Sequence, residues 1–143
     1  MPDKSKQLTT TLKLLNDRIH FEGAAEGNNP ISIDYIPPFG DNLGYTSLEL
    51  LMLSLSSCVA TALLVLLRRQ GKNIGSFSVK SEGTRRQSHP TALEEIHLYI
   101  YIKCDNLETG EFEKVLTLAE STCPVWYMIK EKTRVIIHPQ INA

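Results

Sequence analysis

The chain has 143 residues, 42% of them hydrophobic, which is enough for one domain with a real core. Its 15 basic and 16 acidic residues nearly cancel, so it carries no electrostatic footprint for nucleic acid, and no such partner is expected. Three cysteines, an odd number with no CxxC pair and no His–Cys pair at zinc-finger spacing, argue against a disulfide framework and against a metal site.

Residues 1–7 are polar and read as a loose tail. The opening MPDKSKQLTTTLKLL has no apolar stretch of the kind an export signal needs, so a reducing, cytoplasmic setting is expected for the thiols. Leu8 to Leu15 reads as a strand, and Asn16-Asp17 as a turn. Arg18 to Ala24 alternates Ile19 and Phe21 against His20 and Glu22, the mark of a second strand. After the turn Glu26 to Asn29, Pro30 to Ile36 alternates again. Together they suggest an N-terminal antiparallel meander. The loop Pro37 to Tyr45, rich in proline and glycine, leads to the main helix.

That helix is SLELLMLSLSSCVATALLVLLRRQ, Ser47 to Gln70. No residue between Leu50 and Leu67 is charged, so the segment must be hidden on nearly all sides, by protein or by lipid. Its hydroxyl residues (Ser54, Ser56, Ser57 and Thr61) and the ordinary α+β pattern of the rest favour a core helix over a membrane span. Covering it fully asks for more surface than one small domain offers, which points to a dimer with shared cores. Thr46 and Glu49 form a T-x-x-E capping box, Arg68 and Arg69 suit the negative end of the helix dipole, and Gly71 suits the left-handed residue that follows a helix.

Ser76 to Lys80 starts a strand. Thr84 to Thr91 reads as a polar hairpin loop, and Lys80, Arg85 and Arg86 as solvated charges rather than a binding patch. Leu93 to Cys104 is the clearest strand, with Ile96, Leu98, Ile100 and Ile102 on one face and His97, Tyr99, Tyr101 and Lys103 on the other. Gly110 to Ser121 has helical spacing. Pro124 starts a short helix over Val125 to Lys130, and Thr133 to His138 closes as a strand ended by Pro139. The order implies a single α+β domain over 1–143 with a largely antiparallel sheet.

Two cysteines stand out. Cys123 precedes Pro124 and so caps the short helix, where free N–H groups favour thiolate and lower the thiol pKa. Cys58 lies mid-helix, where a cysteine is commonly packing, and gets no such help from its own helix. Cys104 ends a strand and reads as structural or passive. His20, His89, His97 and His138 do not cluster in sequence and read as satisfied or exposed, and Trp126 and Tyr127 as helix packing or pocket rim.

The stretch LELLMLSLSSCVATALLVLLRRQG, followed far downstream by the CPV of Cys123-Pro124-Val125, resembles the OsmC/Ohr family over nearly the whole chain. In that family one cysteine sits on the long central helix and a second, in a C-P-V context, opens a short C-terminal helix. The resemblance implies an antiparallel sheet wrapped around the central helix, in an intertwined homodimer. It also implies a thiol peroxidase for organic hydroperoxides, restored by an external dithiol without metal, haem or flavin. Cys58 would be peroxidatic, Cys123 resolving, and Arg18 the cation that favours thiolate. The family's orienting acid falls at Leu48 here. Glu49 is one position later, about 100° around the helix, and capping accounts for it. A redox-responsive or small-molecule-binding protein without efficient turnover is the alternative.

Overall fold

The computed structural model describes residues 3–143. It is α+β and falls into two compact units, one ending at Leu50 and one spanning Leu51–Ala143.

The first unit is an antiparallel meander of β1 (Thr10–Leu14), β2 (Phe21–Ala25) and β3 (Ile31–Ile33). Thr10 faces Ala25, Leu14 faces Phe21, and Phe21 faces Ile33. β3 is shorter than its alternation suggests because of Asp34. Its backbone N–H turns to the Tyr45 carbonyl. Its buried carboxylate accepts from the N–H groups of Tyr35 (2.7 Å), Asp41 (3.2 Å) and Leu43 (3.1 Å). Those bonds fold the following segment into a tight loop instead of extending the sheet. A Cβ at Gly40 would stand 2.2 Å from the Tyr35 carbonyl oxygen, so only glycine closes this loop. The described part of the expected loose tail forms a turn, with Lys6 and Gln7 donating to the Asp3 carbonyl.

α1 (Ser47–Arg69) has the ends its sequence calls for. The Glu49 carboxylate accepts from Thr46 N (2.8 Å), and Thr46 Oγ1 accepts from Glu49 N (3.3 Å). Gly71 has φ +77°, and Gly71 N and Lys72 N donate to the carbonyls of Arg68 and Leu67, which completes a Schellman motif.

Within the second unit, Leu55, Val59, Leu63 and Leu67 recur every fourth residue along α1 and are completely buried. Met52 lies against β4, where a Cβ on Gly83 would come within 3.0 Å of its sulfur. α1 is apolar and long enough to cross a membrane, with mean hydropathy 2.4. Only 28% of that stretch is buried, and Leu53 and Val65 stay exposed. The single chain therefore hides one stripe of the helix, not all sides as its composition demands.

The second sheet has the order β4 (Ser76–Arg85), β5 (Leu93–Lys103), β6 (Arg134–Ile141). β4 and β5 are antiparallel, and β4 carries on through Ser81–Arg85, which the sequence assigned partly to a loop. Ile96, Leu98, Ile100 and Ile102 are buried, in line with the alternation of β5. β6 pairs parallel with β5, within an arrangement that is otherwise largely antiparallel, as expected. It also continues past Pro139, which lies opposite Ile100. As an edge strand, β6 has an open side on which the missing proline N–H breaks no ladder bond. Between β5 and β6 lie α2 (Thr109–Thr122), which buries Phe112, Val115 and Ala119, and α3 (Pro124–Ile129), which buries Trp126.

Candidate active site

The junction of α2 and α3 brings Cys123 to Cys58. Cys123 ends α2, with its N–H donating to the Ala119 carbonyl, and caps α3, with its sulfur accepting from Trp126 N at 3.5 Å. Pro124 sets the first residue of α3, as its fixed φ favours. The Cys123 thiol donates to the Cys58 sulfur across 2.6 Å, and neither cysteine is in a disulfide. A disulfide bond is about 2.04 Å long, so the pair needs little movement to form one.

The two thiols differ in their surroundings. Cys123 is 2% exposed, whereas Cys58 is half-buried on the flank of the buried α1 stripe. The Cys123 thiol is pushed up to about 11, first by burial and then by its hydrogen bond to Cys58. The N–H groups of Trp126 and Val125 pull the other way and are outweighed. This corrects the expectation that helix capping lowers the Cys123 pKa. The capping geometry is present, but withdrawal from water costs the thiolate more than two N–H groups return.

Both cysteines open into a cleft of about 480 Å³, a size suited to a small organic molecule. One wall is a face of α1, formed by Ser57, Cys58, Thr61, Ala62, Val65, Leu66 and Arg69, and the other comes from Thr122, Cys123 and Pro124. The lining is mainly apolar. Trp126 is buried and Tyr127 exposed, and neither belongs to that lining. Cys104 is buried, its sulfur donating to Asn106 Oδ1 at 3.3 Å and its N–H to Asn142 Oδ1 at 2.7 Å, a packing role.

Arg18 belongs to the first unit. There its guanidinium pairs with Asp41 and donates to the Pro38 carbonyl, so the loop organised by Asp34 fixes its orientation. Glu49 is committed to the Thr46 cap, and that N–H bond holds its carboxyl below the usual range.

Two features lie beyond the sequence reading. Arg69, read only as a helix-end cation, is the charged residue in the cleft lining. Its spacing from Cys58 through Ala62, Val65 and Leu66 keeps all five on one helical face, which was a readable signal. His97 and His138, distant in sequence, are joined by an Nδ1···Nε2 bond of 2.8 Å on the outer face of the sheet. Glu95 bonds the other His97 nitrogen and Arg134, and Tyr99 stacks on His138 at 4.6 Å. Arg134 first, then His97, hold the Glu95 carboxyl below its usual range. Only the parallel register of β6 could have revealed this cluster. Among the described residues, no group of three or more His, Cys, Asp or Glu side chains is arranged to hold a metal ion.

The family model described as OsmC-like protein matches residues 40–138. No curated protein matches the sequence. Among solved structures, an OsmC-like protein from Mycoplasma pneumoniae superposes with TM-score 0.83 at 17% identity, covering 96% of this chain and 99% of that one. A hypothetical protein from Aquifex aeolicus gives TM-score 0.81 at 22% identity, covering 95% and 96%. An organic hydroperoxide resistance protein from Legionella pneumophila gives TM-score 0.65 at 17% identity, covering 94% and 97%. At these identities the likeness is one of fold.

Proposed function

The chain belongs to the OsmC-like protein family, and from that membership we propose that it is a cysteine-based peroxidase that reduces organic hydroperoxides in oxidative-stress defence. The observation that carries the reading is the pair of free thiols 2.6 Å apart at the floor of an apolar cleft. The name of the Legionella relative, an organic hydroperoxide resistance protein, agrees with it.

The roles follow from the asymmetry of the pair. Cys123 keeps its proton and donates a hydrogen bond to Cys58, so Cys58, the more accessible sulfur, is assigned as the attacking nucleophile. Cys58 attacks the terminal peroxide oxygen. The O–O bond breaks, the alkoxide takes a proton and leaves as alcohol, and Cys58 becomes a sulfenic acid. The Cys123 sulfur then displaces the sulfenic hydroxyl, which leaves as water with the Cys123 proton, and a Cys58–Cys123 disulfide forms. An external dithiol supplies the two electrons that restore both thiols. The chemistry draws on no metal or organic cofactor. Arg18 is assigned as the cation that favours the Cys58 thiolate; the family resemblance supports this role.

Leu53, Val65, Tyr127 and Met128 expose apolar surface on a single chain, and burial against a second copy in a homodimer accounts for them. A cytoplasmic setting suits a site that must return to free thiols.

One observation favours a second reading, a redox-responsive or ligand-binding protein with poor turnover. Leu48 stands where the family places its orienting acid, and Glu49 is engaged in capping. The experiment that separates the two follows loss of cumene hydroperoxide with a dithiol, for wild type and Cys58→Ser. Catalytic loss in wild type alone supports the peroxidase. Equal background rates in both sink it.

A further inference from the structure

His97 and His138 lie on the neighbouring strands β5 and β6, and His97 Nδ1 stands 2.8 Å from His138 Nε2. Two nitrogens bound to one metal ion through bonds of about 2.0–2.1 Å are about 2.9 Å apart at a right angle and about 3.3 Å apart at the tetrahedral angle. The pair is therefore spaced for two adjacent corners of a square or octahedral sphere. Glu95 bonds the other ring nitrogen of His97, Nε2. With Glu95 as the acceptor, neutral His97 carries its proton on Nε2 and has a lone pair on Nδ1. A carboxylate placed behind an imidazole is the usual support of a metal-bound histidine, because it fixes the tautomer and raises the basicity of the ligating nitrogen. Arg134 in turn holds Glu95 at 2.7 Å, and Tyr99 stacks on His138 with ring centroids 4.6 Å apart. Both histidines are half-buried, so they are held in place and still open to solvent.

We propose that His97 and His138 form a binding site for a divalent transition-metal ion of the Cu2+ or Ni2+ class, with Glu95 as the positioning residue behind His97. Such ions take nitrogen and oxygen ligands in tetragonal geometry, whereas tetrahedral Zn2+ asks for a wider pair. Among the described residues no third His, Cys, Asp or Glu side chain joins the pair, so water fills the remaining corners. Glu82 and Lys80 stand opposite His97 and Tyr99 on β4 and pair with each other at 3.7 Å. On binding, the rings turn until both lone pairs meet one ion beside the line between the two nitrogens. The proton on His138 Nε2 moves to its Nδ1, so the pair neither gains nor loses a proton. The site shares no residue with the cleft that holds Cys58 and Cys123.

Isothermal titration calorimetry of the reduced protein with Ni2+, which leaves the thiols reduced, tests the site. Wild type is expected to bind one equivalent more than His97→Phe or His138→Phe. Phenylalanine keeps a ring in each place, and circular dichroism without metal confirms that the variants fold. Cys58 and Cys123 are intact in both, so any binding at the thiols persists there and is told apart. Glu95→Gln should keep the equivalent and weaken it by about tenfold or more. Zn2+ should bind the pair more weakly than Ni2+. No binding in wild type, or equal stoichiometry in wild type and both histidine variants, overturns the site. Undiminished affinity in Glu95→Gln overturns the role of Glu95, and Zn2+ binding at least as tightly as Ni2+ overturns the square geometry. A second measurement needs no variant. Paramagnetic Ni2+ should broaden the NMR signals of His97, Tyr99 and His138 before those of other residues. Broadening centred on the cysteines alone refutes the proposal.

Discussion

The thiol of Cys123 donates a hydrogen bond to the sulfur of Cys58, 65 positions earlier in the chain, across 2.6 Å. The bond joins the middle of a long apolar helix to the junction of two shorter ones and makes the two sulfurs unequal. One is buried and keeps its proton; the other faces an apolar cleft.

Removing the resolving thiol should separate the two chemical steps. Cys123→Ser is expected to reduce one equivalent of hydroperoxide and stop as a Cys58 sulfenic acid, which dimedone traps. Steady turnover with a dithiol should fall by about tenfold or more, because the disulfide route to reduction is gone. Absence of the dimedone adduct on Cys58 would reverse the assigned roles.

The raised pKa of Cys123 makes stability depend on alkaline pH. The folded chain holds this proton up to about 11, against an ordinary value of 9.0. Above pH 9.0 the unfolded chain releases a proton that the folded chain retains, so unfolding becomes easier. The contribution is complete below pH 9.0 and is lost progressively toward pH 11. Urea denaturation at several pH values should show this decline in wild type and a flatter profile in Cys123→Ala.

Capping and catalysis at the start of α1 can be told apart. Thr46→Ala should cost about 1 kcal/mol of stability, as for other N-cap hydroxyls. Glu49→Ala should cost a similar fraction and leave kcat/KM for cumene hydroperoxide within about twofold, since a capping carboxylate acts on the fold alone. A large loss of kcat/KM without loss of stability would make Glu49 the missing orienting acid.

On the outer sheet face, His138→Phe keeps a ring to stack on Tyr99 and deletes the bond to His97. It should destabilise by about 1 kcal/mol, the usual net value of one hydrogen bond. Thermal unfolding measures it; an unchanged midpoint would mean that the pair adds nothing.

What the sequence disclosed and what it withheld divide along the range of the interactions. The caps of α1 are local: Thr46, Glu49 and Gly71 announce them, and each forms as read. So is the alternation of Ile96, Leu98, Ile100 and Ile102, all of them buried. The parallel pairing of β6, its passage through Pro139 and the His97–His138 bond depend on register between distant strands, which no local pattern encodes. Cys123 was legible as a cap, but its raised pKa comes from burial by tertiary packing. Asp34 shortened β3 through bonds to residues up to eleven positions away, beyond the reach of a period-two pattern. The pairing of Cys58 with Cys123 came from family resemblance, and spacing alone left Cys58 open to a packing role.

The most direct measurement is peptide mapping by mass spectrometry after one equivalent of cumene hydroperoxide, with no reductant present. The expected result is one equivalent of alcohol and a single Cys58–Cys123 disulfide, with Cys104 still a free thiol. Untouched hydroperoxide, or a bridge that contains Cys104, would contradict a peroxidase built on the Cys58–Cys123 pair.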